Sequence, residues 1–123
     1  MLFRSRLRGA LALARANPVT VVARSAAEFV GDLTREAGTW TVLWHSVMWQ
    51  YLEAREQDDV VAHLERLGAI GGDDAPLARI SFEPRLLAHG EDIGFVVTVW
   101  TWPGGVERVL GRAPAHGLPV EWS

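Results

Sequence analysis

The sequence predicts an α/β fold: a three-layer sandwich around a mostly parallel sheet, with a C-terminal antiparallel hairpin. Helical and strand patterns alternate in the order α-β-α-β-α-β-β-β, and strands separated by helices pair in parallel through right-handed crossovers. In the last third, two strand patterns are joined by Pro103-Gly104-Gly105, which is typical of a β-hairpin. The chain of 123 residues has the length of one domain, residues 1–123.

The first two predicted elements are an amphipathic helix and a buried strand. Apolar residues recur at spacings of three and four over residues 2–16, with arginines mostly on the other side. Asn17-Pro18 ends this helix, because the residue before a proline is pushed out of the helical region. The β-branched run Val19–Ala23 then predicts a strand.

A second helix and a second strand follow. Ser25 and Glu28 have the spacing of a capping box, in which each side chain accepts a backbone N–H at the start of a helix. Gly38 is the expected left-handed residue after the end of that helix. Trp40–Trp44 is apolar on both faces, which predicts a central strand of a parallel sheet, covered on both sides.

The remaining predicted elements complete the sheet. They are a short helical segment over Val47–Leu52, a helix over Arg55–Leu67 that Gly68 ends, a strand over Leu77–Glu83, a loop through Pro84, His89 and Gly90, the hairpin strands Ile93–Trp102 and Val106–Arg112, and a short strand over Leu118–Trp122.

Composition is that of an ordinary globular protein and excludes several kinds of site. The chain is 49% hydrophobic and 22% charged, and its net charge of −3 gives no reason to expect binding to nucleic acid or to an anionic membrane. No stretch approaches the length of a membrane span. Because there is no cysteine, disulfides, thiolate metal sites and cysteine nucleophiles are excluded, which fits a cytoplasmic protein.

The stretch Thr41–Leu52 passes from a strand into a helix, and ligands of α/β proteins bind at such carboxyl ends of strands. His45 and Glu83 end two predicted parallel strands, so both are expected at the same edge of the sheet. There Glu83 could act as a base or accept a hydroxyl group beside His45. The structural alternative is an ion pair between Glu83 and Arg79 or Arg85. His45 and Glu83 are therefore the candidate catalytic pair.

Four other residues are candidate ligand contacts, each with a structural alternative. His45 cannot activate Ser46, since adjacent strand residues point to opposite faces, and no Gly-x-Ser-x-Gly elbow surrounds Ser46. A helix-capping hydroxyl is the alternative for Ser46. Gln50 and Tyr51 either bind a ligand from the first helical turn or pack against the protein. His116 either contacts a ligand or stabilises the turn Pro-Ala-His-Gly-Leu-Pro.

Metal ligation is not predicted, because the four histidines show no metal-ligand spacing. Trp100 and Trp102 fall on one face of a long predicted strand, opposite Phe95, Val97 and Val99. The two tryptophans are expected in a core or a subunit interface, with an aromatic ligand platform as the alternative.

Four segments together resemble the closing third of a bacterial family described as domain of unknown function 2332. They are Thr-Val-Leu-Trp-His-Ser-Val-Met-Trp-Gln-Tyr-Leu at 41–52, Ala-Pro-Leu-Ala at 75–78, Val-Trp-Thr-Trp-Pro-Gly-Gly at 99–105 and Ala-His-Gly-Leu-Pro-Val-Glu-Trp at 115–122. The likeness runs from about residue 6 to residue 122. Members of that family are longer, so the resemblance implies that this chain corresponds to their C-terminal portion. It carries over no catalytic residue.

The predicted architecture is also similar to the second half of a class I S-adenosylmethionine methyltransferase domain. The glycine-rich cofactor turn of such domains has no counterpart here, and Arg24-Ser25 stands where an acidic residue would help to hold adenine. The resemblance therefore implies that most of a cofactor site is missing and that the chain is not catalytic alone. No cofactor is expected, and S-adenosylmethionine is the one to test.

A missing half would leave an apolar sheet edge or face open, and an open edge invites pairing with another chain. We therefore expect a homodimer or larger assembly, and neither nucleic acid nor a membrane is expected as a partner. Two alternatives stay open. One is a methyltransferase-like enzyme whose site is completed between subunits, and the other is a small binding or scaffold module.

Overall fold

The computed structural model describes residues 2–86 and 93–123 and has a mixed α/β architecture, as expected. Its elements are α1 (Leu2–Ala16), α2 (Ala26–Gly31), β1 (Thr41–Ser46), a 3₁₀ turn (Trp49–Tyr51), α3 (Ala54–Ile70), β2 (Leu77–Leu86), β3 (Ile93–Trp102), β4 (Val106–Ala113) and β5 (Glu121–Trp122). The predicted loop at His89 and Gly90 lies outside the described residues, whereas Pro84 belongs to β2.

The five strands form one sheet in the order β1-β2-β3-β4-β5. Among the strand pairs that the described residues form, β1 and β2, which are joined through α3, are parallel and the other three pairs are antiparallel. The expectation of a mostly parallel sheet is therefore wrong. The reason is connectivity: at most seven residues separate consecutive strands from β2 to β5, which is too few for a parallel crossover, and short connections return the chain antiparallel.

The hydrophobic core lies on one face of the sheet, between the strands and the pair α2 and α3. Val30 of α2 and Val60 and Leu64 of α3 pack with Leu77 and Trp102 of the sheet, and all five are buried. These apolar residues recur at helical spacing on α3 and at alternate positions on the strands, which directs them to one side. The core thus has one helical layer on the sheet.

The opposite face of the sheet is apolar and partly open at β1. Val42 and Trp44, which point to that face, are 50% and 57% exposed. The expected three-layer sandwich with a central strand covered on both sides is therefore wrong for the part of the chain described. β1 is an edge strand with one covered face, since only its alternate residues such as Leu43 and His45 turn toward the helices.

The run Val19–Ala23 is not a strand in the structure. Val19 and Val21 are largely exposed, and the run lies between α1 and α2 without a place in the sheet. β-branched residues favour strands only where a neighbouring strand and a covering layer supply contacts. The helix α1 that precedes it has the bounds predicted from the sequence, and Leu7 and Leu11 on its apolar face are half exposed.

Local helix chemistry explains where the two core helices begin and end. The capping box predicted at Ser25 and Glu28 is present, and the Ser25 backbone and hydroxyl groups lower the pKa of Glu28. α2 nevertheless ends at Gly31, well before Gly38, although Gly38 has the expected positive φ of 78°. α3 continues past Gly68, which was expected to end it, because Gly68 packs against Trp102 within the helix.

Candidate functional site

A cluster of polar residues lies where β1 and β2 face the helical layer. We call it the His45 cluster, and it consists of His45 of β1 with Arg79 and Glu83 of β2. The parallel register pairs Leu43 with Arg79 and His45 with Ser81, so the three side chains share one sheet face. The structure thus brings together His45 and Glu83, as the sequence predicts.

The Glu83 carboxylate accepts hydrogen bonds from three donors at the end of β1 and in the following turn. His45 Nδ1 lies 2.7 Å from Oε1, the Met48 backbone N–H lies 3.2 Å from each oxygen, and the Trp49 N–H lies 3.3 Å from Oε1. The turn itself is strained, since Val47 has a φ of 51°, a conformation that β-branched residues rarely adopt. Glu83 therefore holds a turn that the backbone alone would disfavour.

The hydrogen bonds define the protonation state of His45. A carboxylate only accepts, so Nδ1 carries the proton and donates it to Glu83. Nε2 accepts from Arg79 Nε at 3.1 Å, which requires that Nε2 be unprotonated. Burial lowers the pKa of His45, the positive charge of Arg79 lowers it further, and Glu83 acts in the opposite direction. The imidazole is neutral in this arrangement.

Two tryptophans enclose the guanidinium group of Arg79. Its central carbon lies 4.2 Å from the ring centroid of Trp49 and 4.5 Å from that of Trp100. The Trp49 ring also stacks on His45, with the ring centroids 5.3 Å apart. Burial lowers the pKa of Arg79, while Glu83 and Glu107 raise it. Cation–π contact with two indoles compensates part of the lost hydration of the charge.

The groups of His45 that could do chemistry are already hydrogen-bonded within the cluster. Both ring nitrogens of His45 are engaged, so the imidazole has no free lone pair for a substrate proton. The side chains of His45 and Glu83 are only 8% and 13% exposed. A general base must reach the proton that it removes, directly or through one water. The cluster therefore fixes the end of β1 to β2 and the 3₁₀ turn, and catalysis would require its hydrogen bonds to open.

A cavity of about 490 Å³ lies beside the cluster, between α2, α3, β1 and the 3₁₀ turn. Its wall is mainly apolar and includes Phe29, Leu43 and Trp44. Glu56, one of its few polar residues, already accepts the backbone N–H groups of Ala26 and Ala27 at the start of α2. The cavity has the volume of a small-molecule pocket but few free polar groups to orient a ligand.

The other candidate residues do not join the cluster. Ser46 is exposed on the face opposite His45 and does not cap the 3₁₀ turn, so the capping alternative is wrong. Gln50 and Tyr51 lie in that turn, and Tyr51 is 77% exposed, which contradicts packing of its ring. His116 lies in the connection between β4 and β5, at the other edge of the sheet, and is exposed.

Within residues 2–86 and 93–123, no group of three histidine or acidic side chains is arranged to hold a metal ion. None of the described helices is both long and apolar enough to traverse a bilayer.

Sequence reasoning named Arg79 only as an alternative partner of Glu83 and did not assign Trp49 or Trp100 to the site. Arg79, Ser81 and Glu83 alternate with apolar residues along β2. A polar stripe on a strand whose other face is apolar is the signal that could have located the cluster.

The comparisons with known proteins concern the family alone. A family model described as "Uncharacterized protein conserved in bacteria (DUF2332)" matches residues 4–122. No curated protein sequence and no solved structure matches the chain. The match covers nearly the whole chain and agrees with the resemblance found in its segments.

Proposed function

We propose that this chain is a non-catalytic α/β domain that assembles with a second copy through the free edge of β1. The chain belongs to the DUF2332 family of uncharacterised bacterial proteins. The observation that supports this proposal most is that β1 is an unprotected, apolar edge strand. The His45 cluster then has a positioning role, because it fixes β1 and the turn that follows it.

Backbone N–H and C=O groups of β1 point toward its free edge. The N–H groups of Thr41 and Val47 donate to Pro76 and Phe82, on the β2 side. Because the backbone groups of successive residues in a strand point to alternate sides, those of Val42, Trp44 and Ser46 point away from β2. A strand from another chain can accept and donate at these three residues, as in β-augmentation.

The two edges of the sheet differ in their protection. Proteins blunt edge strands with charges, prolines or very short strands. β5, at one edge, has only the two residues Glu121 and Trp122. β1, at the other edge, has the sequence Thr-Val-Leu-Trp-His-Ser, without a proline or a permanent charge. The unprotected edge is therefore the one that favours assembly.

Exposed apolar residues concentrate on the same part of the chain. Twelve of the 19 exposed large hydrophobic side chains of the described residues lie before residue 48, nine of them in α1, the run Val19–Ala23 and β1. A second copy is the partner that we propose because β1 can pair antiparallel with its own symmetry mate, as closed twofold interfaces require. The result would be one continuous sheet of two copies.

Sedimentation velocity on an edge variant tests this proposal. Trp44→Lys places a charge on the free edge strand, while Trp44 is already 57% exposed, so the fold should tolerate the change. We expect wild-type chain to sediment as a dimer and Trp44→Lys as a monomer with unchanged far-UV circular dichroism. Leu118→Lys, at another largely exposed position far from β1 in strand order, is the matched control and should remain a dimer. A Trp44→Lys chain that sediments like the wild type would contradict the proposal.

A methyltransferase-like enzyme with a site completed between subunits is the second candidate. It is supported by the parallel unit β1-α3-β2 and by the cavity at the carboxyl end of β1, where His45 and Met48 contribute to the wall. A bound ligand raises the melting temperature by an amount set by its concentration relative to its dissociation constant. We expect no shift with millimolar S-adenosylmethionine or S-adenosylhomocysteine if the domain is non-catalytic, and a reproducible shift would favour this second candidate instead.

A further inference from the structure

We propose that Arg79 is the anchor of a carboxylate-binding site whose walls are the indole rings of Trp49 and Trp100. The inference depends on the geometry of this one guanidinium group. It is independent of whether β1 pairs with a second copy.

The positive charge of Arg79 has no anionic partner at contact distance. Arg79 is only 8% exposed, and none of the ion pairs within 4.0 Å in residues 2–86 and 93–123 includes it. Glu83, the carboxylate with the larger influence on Arg79, is linked to it through His45, and Glu107 of the adjoining strand is paired with Arg85 at 2.8 Å. Buried charges in proteins are usually paired, because an unpaired one loses hydration without compensation.

One edge of the guanidinium group is occupied and the other is available. Nε donates to His45 Nε2, whereas Nη1 and Nη2 have no acceptor among the described residues. No fully buried side-chain nitrogen in that part of the chain lacks a partner. Nη1 and Nη2 therefore keep some contact with solvent, and together they present a fork of N–H donors.

The surroundings suit this fork to an anion that offers two oxygens. The two N–H donors of a guanidinium end match the two oxygens of a carboxylate in one plane. The indole rings of Trp49 and Trp100, 4.2 and 4.5 Å from the guanidinium carbon, flank that plane and hold the group in place. His45 fixes the remaining edge, so little side-chain entropy is lost when a carboxylate binds. Chloride fits this geometry less well, because it has no pair of oxygens to accept from the two donors.

The test is a titration of ¹⁵N-labelled chain with acetate, phosphate and chloride at constant ionic strength, followed at the indole N–H resonances. Trp49→Phe and Trp100→Phe assign the two resonances. We expect acetate to move both in a saturable manner and chloride to have no saturable effect. Phosphate should also bind, since two of its oxygens match the same fork. Equal responses to the three anions, or no response to acetate in the wild type, would overturn the proposal without any need for a variant.

Variants of arginine test whether the site is at Arg79. Arg79→Lys keeps the charge but loses the fork, so we expect acetate to bind at least tenfold more weakly. Arg108→Lys is the control, because Arg108 is exposed on the other face of the sheet and should leave the titration unchanged. An Arg79→Lys chain that retains its circular dichroism and binds acetate as the wild type does would contradict the assignment.

Discussion

Replacing Glu83 by glutamine should destabilise the fold far more than removing the charge of an exposed glutamate. The carboxylate accepts from His45, Met48 and Trp49, whereas a glutamine amide offers one acceptor oxygen and places an NH₂ group against a donor. A hydrogen bond to a charged group contributes about 1.5–3 kcal/mol, and a buried donor left without an acceptor costs about 1–3 kcal/mol. Because glutamine can retain part of the network, we expect Glu83→Gln to lower the free energy of unfolding by about 2–4 kcal/mol.

Urea denaturation at fixed protein concentration measures this loss. With a slope of about 1–3 kcal/mol per molar urea for a small protein, the unfolding midpoint should fall by roughly 0.7–4 M. Glu107→Gln is the matched control, since it removes an ion pair to Arg85 whose partners are 46% and 42% exposed. Such exposed pairs contribute about 0–1 kcal/mol. If Glu83→Gln and Glu107→Gln lower the midpoint equally, Glu83 does not organise the end of β1.

Three further predictions concern stability and assembly. The pKa of His45 is lowered on folding, so the unfolded chain binds the proton first as the pH falls below 6.5. The stability of the wild type should therefore decrease from neutral pH toward the folded pKa, and His45→Gln, which keeps one donor and one acceptor, should reduce that dependence in urea midpoints measured from pH 7.5 to 5. A wild-type and a variant chain with parallel pH profiles would exclude His45 as the titrating group. Gly68→Ala should destabilise by about 1–3 kcal/mol, despite the higher helix propensity of alanine, because a Cβ there would lie within 3.0 Å of the Trp102 ring. Gly9→Ala, where nothing lies within 4 Å, should be neutral or stabilising by up to about 1 kcal/mol, and the opposite order of the two glycine variants would refute this packing argument. Trp44→Lys should weaken self-association, as described above.

Patterns that depend on neighbouring residues were predicted well from the sequence. The bounds of α1 and of β3, Ile93–Trp102, are those expected, since each has a long and regular pattern. The proximity of His45 and Glu83 was also expected, because the sequence predicts both at the carboxyl ends of two parallel strands, although β2 continues past Glu83 to Leu86. The capping box at the start of α2 is a local hydrogen-bonding motif and was likewise predicted.

Features that depend on which strands and helices surround a segment could not be predicted from its local sequence pattern. An apolar strand such as β1 has the same sequence pattern whether it is central or lies at an edge with an apolar face open. Val19–Ala23 has the composition of a strand, but strand formation requires a neighbour that the described part of the chain does not give it. The stacking of Arg79 between two tryptophans depends on the pairing of β2 with β3 and on the 3₁₀ turn, which no local pattern reveals.

The central claim is that the free edge of β1 makes this chain an assembling domain. Size-exclusion chromatography with light scattering at micromolar concentration tests it most directly. The account predicts a mass of twice the 13.6 kDa of one chain, with dissociation on dilution. A monomer of 13.6 kDa over the whole micromolar range would contradict it.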